Sequence, residues 1–340
     1  MDNKRMDYID TLKGIGILFV VYAHVNYTPL PLMLIYSFHM PLFFIISGML
    51  FRSDRYNNFA GFLRRRFVTL IVPYLIFSFA AMFYAFVSER VYPELHDFDR
   101  GEYIAYFLQI LLAQGSHGVL NIPLWFVPCL FSVEIMYYFL SKLSVVVRIP
   151  LCMVFAAIGW LLESGLLGFD NTLLPWTIDS ALYALSFYAF GNMVCPLVKN
   201  ASDTIKNHRN KLLICIDLIF VSLVLWLPLA LLNGKISLGS RVLGNGILLF
   251  MTGVFGSAAL YGLSLLTENC PFLRFCGKNS FYIMATHYLI RNFMVRHLFA
   301  LAGIPWYDRT DAVQTIVPFI FVLLVSLTLT ALFSWIRKKK

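Results

Sequence analysis

Ten apolar segments, each about as long as a membrane-spanning helix, constrain this chain more than any other feature of its sequence. A helix needs about 20 mostly apolar residues to cross roughly 30 Å of hydrocarbon. Only 13% of the 340 residues are charged and 59% are hydrophobic, whereas soluble domains carry about 25% charged residues. The sequence therefore predicts an all-α, polytopic integral membrane protein. Its ten predicted spans lie near residues 10–27, 32–51, 67–87, 123–141, 149–166, 175–196, 212–232, 242–266, 279–300 and 312–336.

The remaining segments indicate one membrane domain covering residues 1–340. No internal repeat, low-complexity tract or soluble domain is visible. The apolar segment 103–114 is too short to span and is predicted to be an interfacial or re-entrant helix. The first 26 residues lack a small-residue cleavage site, so we expect a retained first helix rather than a signal peptide. None of the six cysteines forms a C-x-x-C pair, and neither a disulfide nor a metal site is predicted.

The distribution of basic residues predicts the orientation in the membrane. With a cytoplasmic N-terminus and ten spans, 19 of the 27 Lys and Arg residues fall in inner segments, as the positive-inside rule requires. We therefore expect an inner (plasma) membrane protein with both termini cytoplasmic. The net charge of +9 is explained by anionic lipid, without nucleic acid. The 19 residues are Lys4, Arg5, Arg52, Arg55, Arg64, Arg65, Arg66, Lys142, Arg148, Lys199, Lys206, Arg209, Lys211, Arg274, Lys278, Arg337, Lys338, Lys339 and Lys340.

The first span carries three ionisable residues on one helical face. Lys13 and His24 are eleven positions apart, which is three turns plus roughly 20°, and their axial separation is about 16 Å. Asp10 shares that face. A histidine suits proton transfer because its ordinary pKa is near 6.5, although His24 can also be a helix-end histidine bonded to a neighbour. Lys13 and Asp10 can equally form an ion pair at the inner interface.

The second and third spans add further candidates. His39 is near the outer half of the second span, where it can share a site with His24 or be a buried, hydrogen-bonded histidine. Ser47 and Gly48 near its inner end are also explained by close helix packing. A basic cluster (Arg64, Arg65 and Arg66) lies at the inner start of the third span. It is either a topology anchor or a cradle for phosphates, which arginines bind with paired donors.

Polar and ionisable side chains inside predicted spans have a high energetic cost in hydrocarbon, so each is a candidate functional residue. Trp125 is typical of an aromatic interface belt. Glu134 and Asp179 require partners or a wet cavity, and an ion pair of Arg291 with Asp179 or with Glu134 is the structural alternative to a functional role. His287 lies one turn before Arg291 in the ninth span.

Five segments, in order over most of the chain, resemble the acyltransferase-3 family of membrane acyltransferases, and the pattern is similar to its fucose 4-O-acetylase-related branch. The segments are YIDTLKGIGILFVVYAHV, HMPLFFIISGMLF, RRRFVTLIVPYLIF, PLWFVPCLF and GKNSFYIMATHYLI.

The resemblance implies about ten helices and transfer of acetyl or another short acyl group from cytoplasmic acyl-CoA to hydroxyls of envelope sugars. Acyl-CoA would be a co-substrate, and no bound cofactor is expected. The family's basic residue and histidine, separated by ten residues, match Lys13 and His24, although the family more often has arginine at the first position. His24 would then be a general base or an acyl-accepting nucleophile, and Lys13 a second catalytic residue.

Further positions of the family pattern match individual residues of this chain. Ser47 and Gly48 match a Ser-Gly pair, His287 matches a late histidine, and Arg66 matches the first arginine of an R-x-x-R pattern whose second position here is Thr69. Ser47 and the three arginines are therefore predicted to bind the donor. Acceptor-side or supporting roles are predicted for Asp10, His39, Trp125, Glu134, Asp179, His287 and Arg291.

Two other functions remain open from the sequence. A transporter or flippase without acyl transfer would be expected to show paired broken helices in two halves, and no such symmetry is visible. A glycosyltransferase using a polyprenyl-phosphate donor would need outer carboxylates, for which Glu94, Asp97 and Asp99 are weak candidates.

Overall fold

A computed structural model describes residues 7–25, 28–91, 100–114, 120–164, 174–299 and 312–338. Within these ranges the regular structure is helical, mostly α-helix with short 3₁₀ and π-helical turns, and the one β-type pairing is an isolated bridge between Ser237 and Val242. The predicted all-α class is confirmed. The helices are α1 (Asp7–Val25), α2 (Pro29–Tyr36), α3 (His39–Met49), α4 (Phe59–Arg66), α5 (Val72–Val91), α6 (Arg100–Leu112), α7 (Phe126–Leu140), α8 (Val145–Glu163), α9 (Ile178–Asn207), α10 (Lys211–Asn233), α11 (Gly246–Leu266), α12 (Pro271–Lys278), α13 (Ser280–Phe293) and α14 (Ala312–Lys338).

Nine helical segments in the described part of the chain are long and apolar enough to cross a membrane. The predicted span 279–300 is not among these nine. It forms α13, a helix of 14 residues that continues into π-helical turns at Met294–Phe299. The predicted short segment 103–114 falls on α6, which is too short to span. The nine segments are Asp7–Val25, Pro29–Met49, Phe59–Arg90, Ile122–Leu140, Val145–Glu163, Pro175–Asn207, Lys211–Asn233, Gly246–Leu266 and Ile316–Trp335.

The second predicted span is two helices rather than one. α2 ends at Tyr36 and α3 begins at His39. Pro41 fits the first turn of α3, where its missing N–H would lack a helical partner in any case. The polar groups at the break are satisfied from α10, since Trp226 Nε1 donates to Ser37 Oγ at 2.9 Å. The break places His39 at a helix start rather than inside a continuous span.

The third span begins earlier than predicted and is irregular at its start. α4 contains the three arginines, and π-helical turns at Phe67–Ile71 join it to α5. Pro73 has no N–H to donate, so the regular hydrogen-bond ladder cannot continue through this region. The Thr69 hydroxyl donates to the Arg65 carbonyl at 2.9 Å. Thr69, at the family's second arginine position, thus bonds its own helix.

The helices differ strongly in how far they are enclosed. In the spans that contain α1 and α7, 72% and 78% of the apolar stretch is buried inside the protein, whereas in α8 and α10 only 11% is buried. α1 packs against α3, α11, α12, α13 and α14. The first span is therefore at the centre of the bundle, and α8 and α10 are at its rim.

Charged contacts join several predicted inner segments at one end of the bundle, which we call the basic end. Glu268 follows α11 and pairs with Lys206 at 2.6 Å and Lys211 at 3.0 Å. Arg274 of α12 pairs with Asp7 at the start of α1, at 3.2 Å. These contacts agree with the charge pattern, but the cytoplasmic side itself stays a prediction. The predicted inner residues Lys4, Arg5, Lys339 and Lys340 lie outside the described residues, as do Glu94, Asp97 and Asp99.

Two helix crossings bring backbones into direct contact through glycine. At the crossing of α3 with α9, a Cβ on Gly48 would overlap the Tyr188 carbonyl. At the crossing of α1 with α12, a Cβ on Gly277 would overlap the Asp10 carbonyl, and one on Gly14 the Leu273 carbonyl. Small residues in membrane helices allow such close approach. Gly48 is therefore a packing residue, and α12 is held against the first half of α1.

Candidate active site

A cavity of about 220 Å³ lies between α1, α3, α7, α13 and the loop that precedes α11. Cavities that enclose drug-sized ligands measure about 300–1,000 Å³, so this cavity can hold reacting groups but not a whole coenzyme or glycan. Five of the predicted site residues line it: Lys13, His24, His39, Ser47 and Trp125. The structure thus brings together residues from three separate predicted spans.

The long axis of the cavity follows from the helices that line it. α1 begins at the basic end, so Lys13 is near that end and His24 is about 16 Å further along the helix axis. α3 runs in the opposite direction from α1, with His39 at its start and Ser47 at its end. The cavity therefore has Lys13 and Ser47 toward the basic end and the two histidines toward the other, which we call the histidine end.

Three histidines share one hydrogen-bonding arrangement. The Nδ1 atoms of His24, His39 and His287 lie 2.8, 2.8 and 3.0 Å from the carbonyl oxygens of Val20, Ile35 and Ile283. A carbonyl oxygen can only accept, so in each ring Nδ1 carries the hydrogen and donates. In the neutral imidazole, Nε2 then has a lone pair that can accept a proton. The backbone thus selects the tautomer in which Nε2 is free to accept a proton, as a general base requires.

His287 is behind His24 rather than in the cavity wall. Its ring is fully buried, and its centroid is 5.1 Å from that of His24 in an edge-to-face arrangement. The Tyr288 ring also meets His24 edge-on, at 5.7 Å. The aromatic contacts from α13 therefore orient the His24 ring.

Trp125 is enclosed by protein instead of lying in a lipid-facing belt. Its side chain is 7% exposed and lines the cavity. It ends a short 3₁₀ helix, Ile122–Trp125, whose Pro123 also lines the cavity. Trp125 thus supplies an indole surface to a cavity that is otherwise mostly apolar.

Glu134 is paired with Arg66, so the expected pairing of Arg291 with Glu134 is wrong. Arg66 Nε lies 2.9 Å from Glu134 Oε2, and Glu134 is buried. The Tyr188 hydroxyl adds a long contact to the other carboxylate oxygen, at 3.5 Å. Arg66 and Glu134 are each one helical turn from a cavity-lining leucine, Leu70 or Leu130. The pair is therefore next to the cavity and ties α4 to α7.

The expected pairing of Arg291 with Asp179 is also wrong. Asp179 is buried, and its Oδ2 lies 3.7 Å from Arg241 Nε. Arg291 donates to the Asn292 side chain at 2.8 Å and its guanidinium is over the Tyr288 ring. Arg241, in the loop between α10 and α11, was not identified from the sequence.

Three further predicted site residues lie apart from the cavity. Arg64 and Arg65 are exposed on α4. Asp10 is buried where α1 meets α12 and does not line the cavity. The basic cluster is thus available to a large anionic group outside the cavity, while the cavity itself contains Lys13.

Sequence reasoning missed one wall of the cavity. Residues 237–240 line it, although the eighth span was predicted to begin at 242 and the helix begins only at Gly246. The segment SLGSRVLGNG is rich in Gly, Ser and Asn, which favour turns. The Asn245 side chain caps α11 by accepting from the Ile247 and Leu248 amides. These turn and cap signals identify the loop.

Comparison with known proteins gives one result. The family model described as "Acyltransferase domain", that of the acyltransferase-3 family, matches residues 6–335. No curated protein and no solved structure matches the chain. Because the match covers nearly the whole chain, this integral membrane protein belongs to the acyltransferase-3 family and is an acyltransferase.

Proposed function

We propose that the protein transfers acetyl or another short acyl group from cytoplasmic acyl-CoA to a hydroxyl group of a cell-envelope sugar. The observation that carries this proposal is His24, a cavity-lining histidine whose Nδ1 donates to the Val20 carbonyl. Nε2 can then act as the base. A hydroxyl acceptor needs such a base because it must lose its proton as its oxygen attacks the acyl group. Family membership disfavours a transporter or flippase without acyl transfer.

The proposed reaction is a direct transfer. His24 Nε2 removes the proton of the acceptor hydroxyl as its oxygen attacks the thioester carbonyl. The carbon–sulfur bond breaks, and the departing CoA thiolate takes the proton from the imidazolium. His287 and Tyr288 hold the His24 ring during both steps. An acyl-histidine route would differ by leaving labelled acyl group on the protein when no acceptor is present.

Lys13 acts on the donor in this proposal. It is about 16 Å along the helix from His24, too far to contact the same reacting atoms, yet both line one cavity. The pantetheine arm is assigned to the path between them, past Ser47. The CoA phosphates are assigned to Arg64 and Arg65, which are exposed on α4, while Arg66 remains with Glu134.

The decisive experiment replaces His24 by alanine. Purified protein is incubated with radiolabelled acetyl-CoA and, as acceptor, membranes from cells that lack the gene. We expect transfer to fall about 10²–10⁴-fold, the usual effect of losing a proton-transfer group. His208→Ala is the matched control, because His208 is exposed between α9 and α10. Near-normal transfer by a folded His24→Ala protein would show that His24 is a packing residue.

The donor assignment has a separate test. We expect Arg64→Ala/Arg65→Ala to weaken CoA binding in isothermal titration and to raise the donor KM more than it lowers kcat, since phosphate contacts are equal in ground and transition states. Arg209→Ala, in an exposed loop, is the control. Equal affinities with equal salt dependence would leave the cluster as an anchor and direct the search to Lys13, Arg274 and Lys278.

A further inference from the structure

The loop between α10 and α11, residues 234–245, forms the cavity wall next to Trp125. Its tip consists of Ser237, Leu238, Gly239 and Ser240, all of which line the cavity. The tip is closed by two backbone hydrogen bonds between Ser237 and Val242, of 2.7 and 3.0 Å. The end of α8, the start of α9 and the His24 end of α1 all lie near this loop. The loop is therefore at the histidine end of the cavity, opposite the arginines of α4.

A buried ion pair holds the loop to the helices behind it. Arg241 Nε lies 3.7 Å from Asp179 Oδ2, and Arg241 Nη2 donates to the Leu162 carbonyl at 3.4 Å. Asp179 is itself anchored, since its Oδ1 accepts from the Ser180 amide at 2.9 Å. Arg241 has a φ of 60°, a backbone conformation that side-chain-bearing residues rarely adopt. The loop therefore has a specific shape that this pair helps to hold.

Further contacts fix the loop at its tip and on the side that leads into α11. The Ser180 hydroxyl donates to Glu163 Oε1 at 2.7 Å and lies 3.3 Å from the Leu238 carbonyl. Trp160 Nε1 donates to the Gly244 carbonyl at 2.9 Å. These contacts all come from α8 and α9. The loop is thus a fixed extension of that helix pair over the cavity.

The loop also determines where Trp125 can lie. A Cβ atom on Gly239 would be 2.5 Å from Trp125 Nε1 and 2.6 Å from Cε2. Any residue larger than glycine would therefore displace the indole or the loop. The position of this aromatic surface in the cavity depends on the absence of a side chain at 239.

We propose that residues 237–241 and Trp125 form the acceptor-recognition wall, that they take a carbohydrate-like polyol, and that Arg241 is a positioning residue for it. This inference rests on the proposed function. The wall combines an indole surface with two serine residues at the histidine end. An aromatic ring gives apolar area to the C–H face of a sugar, and a few placed polar groups give orientation.

The test separates the acceptor from the donor. Transfer from radiolabelled acetyl-CoA is measured while the amount of acceptor membranes, from cells lacking the gene, is varied. We expect Gly239→Ala and Arg241→Gln to raise the apparent KM for the membranes roughly 10-fold or more, with CoA affinity unchanged by isothermal titration. Arg241→Lys should recover part of the loss because it keeps a charge for Asp179. Lys235→Ala, exposed in the same loop, should leave both quantities unchanged.

Ser240→Ala provides a variant that removes a hydroxyl without steric change, and it should also raise the membrane KM. An unchanged membrane KM in folded Gly239→Ala, Arg241→Gln and Ser240→Ala proteins would overturn the inference. Weakened CoA binding in the same variants would overturn it too, because the wall would then serve the donor. Absence of transfer by the unsubstituted protein would overturn the proposed function, and this inference with it.

Discussion

The glycine contact between α12 and α1 controls how His24, the proposed catalytic base, is supported. A Cβ on Gly277 would lie 2.6 Å from the Asp10 carbonyl carbon, and ordinary van der Waals contact begins near 3.4 Å. Gly277→Ala therefore requires the two backbones to separate by about 0.8 Å or more. α13 begins directly after α12, so the separation moves His287 away from His24.

The expected effects on the rate and on stability are similar in free energy. A misplacement of about 1 Å at a reacting group can cost roughly 100-fold in rate, or about 2.7 kcal/mol, and one extra methyl group in a packed interior typically costs about 1–3 kcal/mol of stability. We expect Gly277→Ala to lower kcat for acyl transfer about 100-fold, while the purified protein still melts cooperatively. The assay is single-turnover transfer from radiolabelled acetyl-CoA, with thermal unfolding in parallel.

Gly262→Ala is the matched control for this prediction. Gly262 is also a buried helical glycine, but its Cβ would first meet the Ile219 side chain at 2.9 Å, and the nearest backbone atom is 3.3 Å away. A side chain can move where a carbonyl group cannot, so we expect a rate close to that of the unsubstituted protein. A wild-type rate in Gly277→Ala, or equal losses in the two variants, would refute the argument that this crossing positions His24.

Three further predictions concern charge. Glu134→Gln leaves Arg66 without its buried partner, and we expect a loss of about 3 kcal/mol of stability, read from thermal unfolding and absent in a Glu134→Gln/Arg66→Gln double variant. Burial raises the pKa of Glu268, but hydrogen bonds from Lys206 and Lys211 outweigh this and lower the pKa below its ordinary 4.5. The stabilisation is therefore present at neutral pH and lost as the pH falls through the lowered pKa, so the difference in melting temperature between wild type and Glu268→Gln should vanish in acid. A cysteine placed at residues 208–210, between α9 and α10, should resist impermeant maleimide in whole cells, and labelling from outside would refute the predicted orientation.

The class of the protein and part of its site follow from the sequence. Hydrocarbon excludes unpaired backbone polar groups, so long apolar segments must be helices, and the helices found near the predicted spans confirm this. The spacing of Lys13 and His24 placed them on one face, since helical geometry relates residues within a single helix. The structure agrees, because both line one cavity.

The partners of the charged residues were decided only by the tertiary structure. The expected Arg291 pairings failed because Glu134 meets Arg66 and Asp179 meets Arg241. Each pair joins residues more than 60 positions apart. Spacing within a helix cannot show which face of another helix it will meet.

The position of residues 237–240 in the cavity wall and the contact of His24 with His287 were hidden from the sequence for the same reason. Periodicity determines which residues share a face of one helix. The meeting of two helices depends on where their backbones can touch, here at Gly277 against Asp10 and at Gly48 against Tyr188. Those contacts join distant segments, so only the folded chain shows which polar groups complete the cavity.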